Sequence, residues 1–353
     1  MRQIALLPGD GVGPEVLAGP TKLLEFLAER SLLELTGPWP VGASAFGALG
    51  TGLPDVTLAA CDEADALFFG AAGEHPGVSV QDYRPEHSLI GLRQRYDLRV
   101  SIRQIQHRDG SPLIVLRNLL GGAYGMAETR DESDGIEPAT DRISLTREQI
   151  SELANMACDM VEQGLASNIV SVDKANLFAT SRLWRTVTGE VADRRGIEIR
   201  HTLVDRMAFL LAHDDVVGGT VILTEGLFGD ILSDLAGGRA GSIALCGSAS
   251  VHPGPPSRGK CVGLFEPVHG SAPSHVGMGR VNPAGAYLAV AALLEWFPET
   301  AAFAPAVANA LGQAINHGPL TYDLAPRGTK PASTEEFANA VNAIALPLMK
   351  EFP

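Results

Sequence analysis

The chain has 353 residues, 45% of them hydrophobic and 19% charged, which excludes a disordered or fibrous protein and allows one large α/β unit or two domains. Its 41 acidic residues outweigh 27 basic ones to a formal net charge of −14, which argues against a nucleic-acid or anionic-membrane partner. An anionic substrate would need a local cluster of arginines, and four scattered cysteines (Cys61, Cys158, Cys246, Cys261) with no metal-ligand spacing read as thiols of a reducing cytoplasm.

The opening M-R-Q-I-A-L-L-P-G-D carries too short an apolar run for a signal-peptide core, and the uncharged stretch 300–322 is broken by Pro305, Gly312 and Pro319, so no membrane span is expected. Residues 4–7 form a short apolar run before Pro8-Gly9-Asp10-Gly11-Val12-Gly13-Pro14, which predicts a strand, a glycine turn and a helix running to about Arg30. The glycines are spaced G-x-G-x-G rather than G-x-G-x-x-G, so this is a weak dinucleotide signal. Residues 66–69 followed by Gly70-Ala71-Ala72-Gly73 repeat the pattern, as expected for a largely parallel sheet with ligands at its carboxyl edge.

Residues 84–103 are the most basic stretch, with Arg117 further on at the end of an apolar strand at 113–116. Guanidinium groups hold carboxylates with paired hydrogen bonds, so several aimed at one cleft would suit a di- or tricarboxylate. For Arg95 a solvated helix face is the preferred reading, whereas for Arg93, Arg103 and Arg117 spacing alone does not decide. A turn at 121–125 containing Tyr124 leads to a polar arm at 128–141, then to a helix capped by Thr146, then to a strand at 169–172 ending in Asp173-Lys174-Ala175-Asn176. Lys174, just past an apolar strand, has the setting for a depressed pKa, although most lysines simply reach solvent.

Residues 224–235, T-E-G-L-F-G-D-I-L-S-D-L, set Asp230 and Asp234 one helical turn apart if Gly229 opens a helix. With Ile231, Leu232 and Leu235 packed around them, the pair needs a compensating cation, which a hard divalent metal would supply; an ordinary acidic first turn fits equally well. On the metal reading, Asp230→Asn relieves repulsion and is expected to remove activity while barely changing stability. A loop through Gly247 and Pro253 precedes E-P-V-H-G-S-A-P at 266–273, dense in small residues whose backbone N–H groups could meet phosphates. An alanine-rich helix at 283–296 is apolar nearly all round, as a buried helix would be.

Together these segments resemble the β-decarboxylating dehydrogenases of malate-type acids, the isopropylmalate and isocitrate dehydrogenase-like family. The resemblance runs from G-D-G-V-G-P-E through L-R-Q-R-Y-D-L, V-D-K-A-N, F-G-D-I-L-S-D-L and E-P-V-H-G-S-A-P to the closing A-S-T-E-E-F. It implies a twisted, mostly parallel α/β fold with two domains and an active site in the cleft. Residues 1–98 and 247–353 would form a discontinuous cofactor-binding domain, and 99–246 the substrate and dimerisation domain. It implies a homodimer with shared active sites, in which Lys174 and Asp205 reach into the partner's site.

By the same resemblance Arg93, Arg103 and Arg117 would clamp the substrate carboxylates, Tyr124 and Lys174 would be the acid–base pair, and Asp205, Asp230 and Asp234 would hold Mg²⁺ or Mn²⁺. Glu86, Leu89, Ile90 and Leu177 resemble the apolar set of isopropylmalate dehydrogenases, which favours an aliphatic substituent at C3 and 3-isopropylmalate as substrate. Isocitrate, homoisocitrate, tartrate or another 3-substituted malate are the alternatives, and a non-catalytic paralogue ranks last. The cofactor would lie on Glu266, His269, Gly270, Ser271, Ala272, Ser274, His275 and Asn282. Ser274 stands where NAD-using relatives carry a ribose-binding Asp, and Tyr322 resembles NADP-using relatives; NAD is favoured from the apolar pocket, with NADP open. Arg99, at a position normally aromatic, would admit an additional anionic group on the substrate.

Overall fold

The computed structural model describes residues 1–352 apart from 75–77, 80–82, 85, 107–111, 120, 124–127, 131–138, 214, 255 and 257. In chain order the first elements are β1 (Arg2–Gly9), α1 (Gly13–Glu29), β2 (Leu33–Thr36), α2 (Ala43–Leu49), α3 (Asp55–Glu63), β3 (Ala66–Ala71) and α4 (Glu86–Arg95). The middle of the chain forms β4 (Val100–Gln106), β5 (Pro112–Asn118), β6 (Glu128–Arg130), β7 (Ala139–Asp141), α5 (Arg147–Glu162), β8 (Asn168–Asp173), α6 (Ala179–Arg195), β9 (Ile199–Leu203), α7 (Val204–Ala212), β10 (Thr220–Thr224) and α8 (Gly226–Ala240). The remainder forms β11 (Cys246–Val251), β12 (Gly263–Pro267), α9 (Ala284–Trp296), α10 (Ala304–His317) and α11 (Thr334–Lys350).

The chain divides into two compact units, Met1–Leu98 with Gly241–Pro353, and Arg99–Ala240. Just past the second crossing, Ser242 caps a short 3₁₀ turn, Ile243–Leu245, that runs straight into β11. Gly247 accordingly lies inside a buried strand and not in a loop.

In the first unit β1, flanked by β2 and β3, runs parallel to both, β12 runs parallel to β3, and β11 lies antiparallel to β12. The apolar runs that predict strands are buried on both faces, as parallel strands covered by helices require: all six residues of β3 are buried. Ala5, Leu7, Leu67, Phe69 and Leu264 pack with Leu92, Tyr96 and Leu98. Each large side chain of this kind stabilises the fold by roughly 1.5–3 kcal/mol. Helix α1 begins with proline in its first turn and buries Val16, Leu17, Leu23, Leu24 and Leu27, the spacing of a single apolar face. Helix α9 buries residues on every side, as its unbroken alanine-rich composition predicts.

In the second unit β10 runs parallel to β5 and to β8, β8 runs parallel to β9, and β4 lies antiparallel to β5. Strands β6 and β7 pair as an antiparallel ribbon, which is the polar arm. Thr146 caps α5 in a reciprocal capping box with Gln149, satisfying N–H groups that a helix start otherwise leaves open. The four cysteines are free and buried, and among the described residues no helix is long and apolar enough to cross a membrane.

Candidate active site

In the second unit, the parallel register aligns the carboxyl ends of β5, β10 and β8, pairing Thr224 with both Arg117 and Val172. Arg117, Glu225 and Lys174 therefore leave the sheet along one edge, the edge at which open α/β sheets bind ligands. Helix α8 begins at Gly226, not at Gly229, because Glu225 is its N-cap: the carboxylate accepts from Leu227 N at 3.1 Å and Phe228 N at 2.8 Å. Gly229 serves another purpose. A Cβ there would stand 2.7 Å from Arg117 Cβ and 2.8 Å from its Cδ, so the absent side chain lets the helix lie directly on the arginine.

That approach brings together the acids and guanidiniums singled out in the sequence. Arg117 donates to Gly226 O at 2.9 Å and pairs with Asp230 Oδ1 at 2.8 Å, and its side chain is 3% exposed. Arg103 reaches Asp230 Oδ1 at 3.2 Å and Asp234 Oδ1 at 2.8 Å, and also donates to Ser233 Oγ. The positive charge facing the two aspartates thus comes from the protein itself, which corrects the inference that the pair requires a metal for compensation. Ile231 is 59% exposed and does not pack around them. Asp230→Asn removes one charged partner of a nearly buried guanidinium, so a cost in stability is expected where repulsion alone would suggest none.

Asp230 and Asp234 are hard oxygen donors with side chains 39% and 61% exposed, open to a cation from the solvent side. Mg²⁺ is commonly held by one or two carboxylates with substrate and waters completing its shell, so this donor set fits such an ion. Among the described residues no three His, Cys, Asp or Glu side chains gather into a metal group, so Asp205 does not join the two within one chain. Asp205 instead lies in the first turn of α7 and pairs with Lys174 Nζ at 2.6 Å. The hydrogen bond from Lys174 holds the Asp205 carboxyl below its ordinary range.

Glu225 is the residue that sequence reading passed over, because N-cap preferences favour Ser, Thr, Asp and Asn. Burial raises its pKa, against the lowering effects of its two backbone hydrogen bonds and of Arg117. A carboxyl whose folded pKa exceeds its unfolded value stabilises the fold below the unfolded value and loses that contribution as pH rises through the folded one. Urea unfolding should therefore show Glu225→Gln gaining on the wild type as pH rises from the ordinary carboxyl range of about pH 4. A constant difference as pH rises would contradict this assignment.

The first unit has its own convergence at the carboxyl ends of β1, β3 and β12. Asp10 is buried and accepts from Ala43 N, Ser44 N and Gly73 N at 2.9, 2.8 and 3.2 Å. Val12 N donates to Ser271 O at 3.0 Å, and a Cβ on Gly11 would stand 2.1 Å from that oxygen. The small residues of E-P-V-H-G-S-A-P thus let this loop close on the first glycine turn. His269 Nε2 is buried with no hydrogen-bond partner among the described residues, and burial holds the imidazole below its usual pKa. An unfilled buried ring nitrogen beside Gly270, Ser271 and Ala272 suits a polar ligand such as a dinucleotide. Asn282 is committed locally, donating to Asp323 Oδ2 at 3.0 Å and accepting from Ala284 N at the start of α9.

Arg93 pairs with Glu266 Oε1 at 2.8 Å and donates to Ser250 Oγ at 3.2 Å, so a guanidinium expected on substrate and an acid expected on cofactor meet each other. Arg95 pairs with Asp62, whose carboxyl is lowered to about 2 chiefly by that hydrogen bond. Arg99 pairs with Glu152 at 3.2 Å, which removes the argument it offered for an extra anion on the substrate. Leu89 packs on the first unit's core, whereas Ile90 and Leu177 are 43% and 63% exposed. Tyr124 and the side chain of Glu86 lie outside the described residues.

A mostly parallel α/β architecture with acids, guanidiniums and an amine gathered at strand carboxyl ends is that of an enzyme acting on a small anionic substrate. The sequence profile of the isocitrate/isopropylmalate dehydrogenases matches residues 3–341. The 3-isopropylmalate dehydrogenase of Geobacillus kaustophilus is 37% identical, across 98% of this chain and 95% of that protein. That of Salinibacter ruber is 38% identical, across 96% and 94%. Among solved structures, a β-decarboxylating dehydrogenase from Thermococcus kodakarensis superposes with a TM-score of 0.81 at 30% identity, covering 99% of this chain and 98% of that one. The isocitrate dehydrogenase of Methylococcus capsulatus gives 0.81 at 28%, covering 98% and 99%. The chain belongs to the isocitrate/isopropylmalate dehydrogenase family and is a decarboxylating dehydrogenase. The family in general uses NAD(P) and a divalent metal.

Proposed function

We propose that the chain catalyses the metal-dependent oxidative decarboxylation of a 3-substituted malate, with 3-isopropylmalate the favoured substrate. The observation that carries the reading is the Arg103–Asp230–Arg117 cluster, two guanidiniums fixed on one carboxylate at a strand edge. Guanidiniums so held are preorganised for substrate carboxylates, and the open carboxylates beside them suit a hard cation.

In this reading Arg93, Arg103 and Arg117 orient the malate carboxylates. Asp230 and Asp234, with Asp205 from a second copy of the chain, hold Mg²⁺ or Mn²⁺ in a homodimer with shared sites. A bound divalent metal would supply charge stabilisation for the oxidation, and NAD(P) would supply the hydride acceptor. Lys174 of the second copy takes up the C2 hydroxyl proton through a water or its acid neighbour, and Tyr124 returns a proton to C3 after CO2 has left. Ile90 and Leu177, exposed apolar side chains, with Leu89 and Glu86, receive the C3 substituent. NAD(P) lies on the loop from Glu266 to Asn282, and the enzyme works in the cytoplasm.

The pairing of Arg99 with Glu152 weakens the support that Arg99 gave to isocitrate, homoisocitrate or tartrate as substrate. An aliphatic pocket discriminates by ~1–3 kcal/mol per methylene, so 3-isopropylmalate should exceed isocitrate in kcat/KM by roughly 10–200-fold. Steady-state rates with a panel of malates test this. Faster turnover of isocitrate would overturn the substrate assignment and leave the enzyme class standing.

A further inference from the structure

We propose that Arg185 is a positioning residue for the proton transfer assigned to Lys174: by gripping the buried Asp173, it fixes the backbone from which the lysine projects. This role rests on the reading of Lys174 as the group that takes up the C2 hydroxyl proton.

Lysine carries its ammonium on a flexible four-carbon stem, so the place of that charge depends on how firmly its backbone is held. Lys174 is the first residue after β8, where strand pairing has ended, and the segment 174–178 belongs to neither strand nor helix. Helix α6 supplies the fixing instead. Asp173, its side chain 1% exposed, accepts from Arg185 Nε on one carboxylate oxygen and from a terminal guanidinium nitrogen on the other, both at 2.8 Å. The same carboxylate accepts from Ala175 N at 2.8 Å. The lysine is thereby bracketed, with the residue before it clamped and the residue after it tied to the clamp. Its own N–H donates to Ser181 Oγ at 3.0 Å, and Arg182 donates to Ala175 O at 3.1 Å. Ser181, Arg182 and Arg185 all lie in the first two turns of α6.

With these donors on its oxygens and almost no exposure, the Asp173 carboxylate is closed to substrate and metal, and its charge serves the turn. Among the described residues no hydrogen bond or ion pair joins Arg185 to Lys174 or Asp205, so its effect passes through Asp173. A guanidinium fork holds both carboxylate oxygens in one plane, whereas an ammonium offers a single point charge. Arg185→Lys therefore keeps a cation beside Asp173 and loses the orientation. A tilted carboxylate takes Ala175 N with it, and a misplacement on the order of 1 Å at reacting groups costs about 10²-fold in rate.

Steady-state kinetics of the full-length enzyme with 3-isopropylmalate, Mg²⁺ and either dinucleotide test this in two backgrounds, each rate being corrected for the folded fraction from urea unfolding. In the wild type, Arg185→Lys should lower kcat by about tenfold or more and leave KM within about twofold. With Lys174→Ala already present, the same change should alter kcat by less than about twofold, because a group that acts only through the lysine has nothing left to position. Ser181→Ala, which removes only the acceptor of Lys174 N, should repeat the pattern at about threefold, and it carries the test if the charge variant does not fold. Equal factors in both backgrounds, or full kcat in the Arg185 and Ser181 variants, would overturn the positioning role and leave Lys174 as the proton acceptor. Full kcat in Lys174→Ala alone would overturn the reading on which the role stands.

Discussion

Lys174→Ala is expected to lower kcat by about 10²–10⁴-fold, the range a positioned acid or base contributes, with little change in stability. Lys174 stands at the carboxyl end of β8, and its partner Asp205 is 63% exposed. An ion pair so open to water contributes little to the fold. Activity and stability should therefore separate. With the ammonium gone, the Asp205 carboxyl also returns upward toward its ordinary pKa, since the lysine hydrogen bond is the chief cause of its lowering. An unchanged kcat with a clear drop in unfolding midpoint would mark the pair as structural only.

Asp230→Asn should lower kcat by about 10²-fold or more, since metal-assisted charge stabilisation is worth several kcal/mol. It should also cost stability, unlike Asp234→Asn. Asp230 accepts from both Arg103 and Arg117, the second with a side chain only 3% exposed. Among the described residues Asp234 meets Arg103 alone, and it is 61% exposed. Removing a charged hydrogen-bond partner of a buried group costs about 1–3 kcal/mol, and a mostly exposed one much less. Urea unfolding of the two variants measures the difference, and Mn²⁺ titration should show both weakened. Equal stability loss would contradict the role given to Arg117.

What could be read from the chain divides along the range of the interactions involved. Apolar runs ending in glycine at Gly9 and Gly70 marked β1 and β3, and a threonine before an apolar face marked α5, because these depend on neighbours in sequence. The start of α8 was misplaced because Glu225 caps it by a long side chain that propensity rules undervalue. The function of Gly229 was invisible because it is an absence, space for Arg117 brought in from another strand. Arg93 and Glu266 are separated by 173 residues, and no spacing rule announces that they meet. The acids, arginines and lysine were legible as residue types in order, whereas which acid faces which arginine was fixed only by the register of β5 and β10.

The aspartates and arginines on α8 and at the strand ends are assigned one task, holding a malate while its C2 carbon is oxidised and its β-carboxylate leaves. The most direct measurement follows reduced nicotinamide and released CO2 together during turnover of 3-isopropylmalate with Mg²⁺. The two should appear in equal amounts, and both should stop on chelation. Absence of turnover with every 2-hydroxy-3-carboxy acid, in correctly folded enzyme supplied with metal and either dinucleotide, would contradict the account.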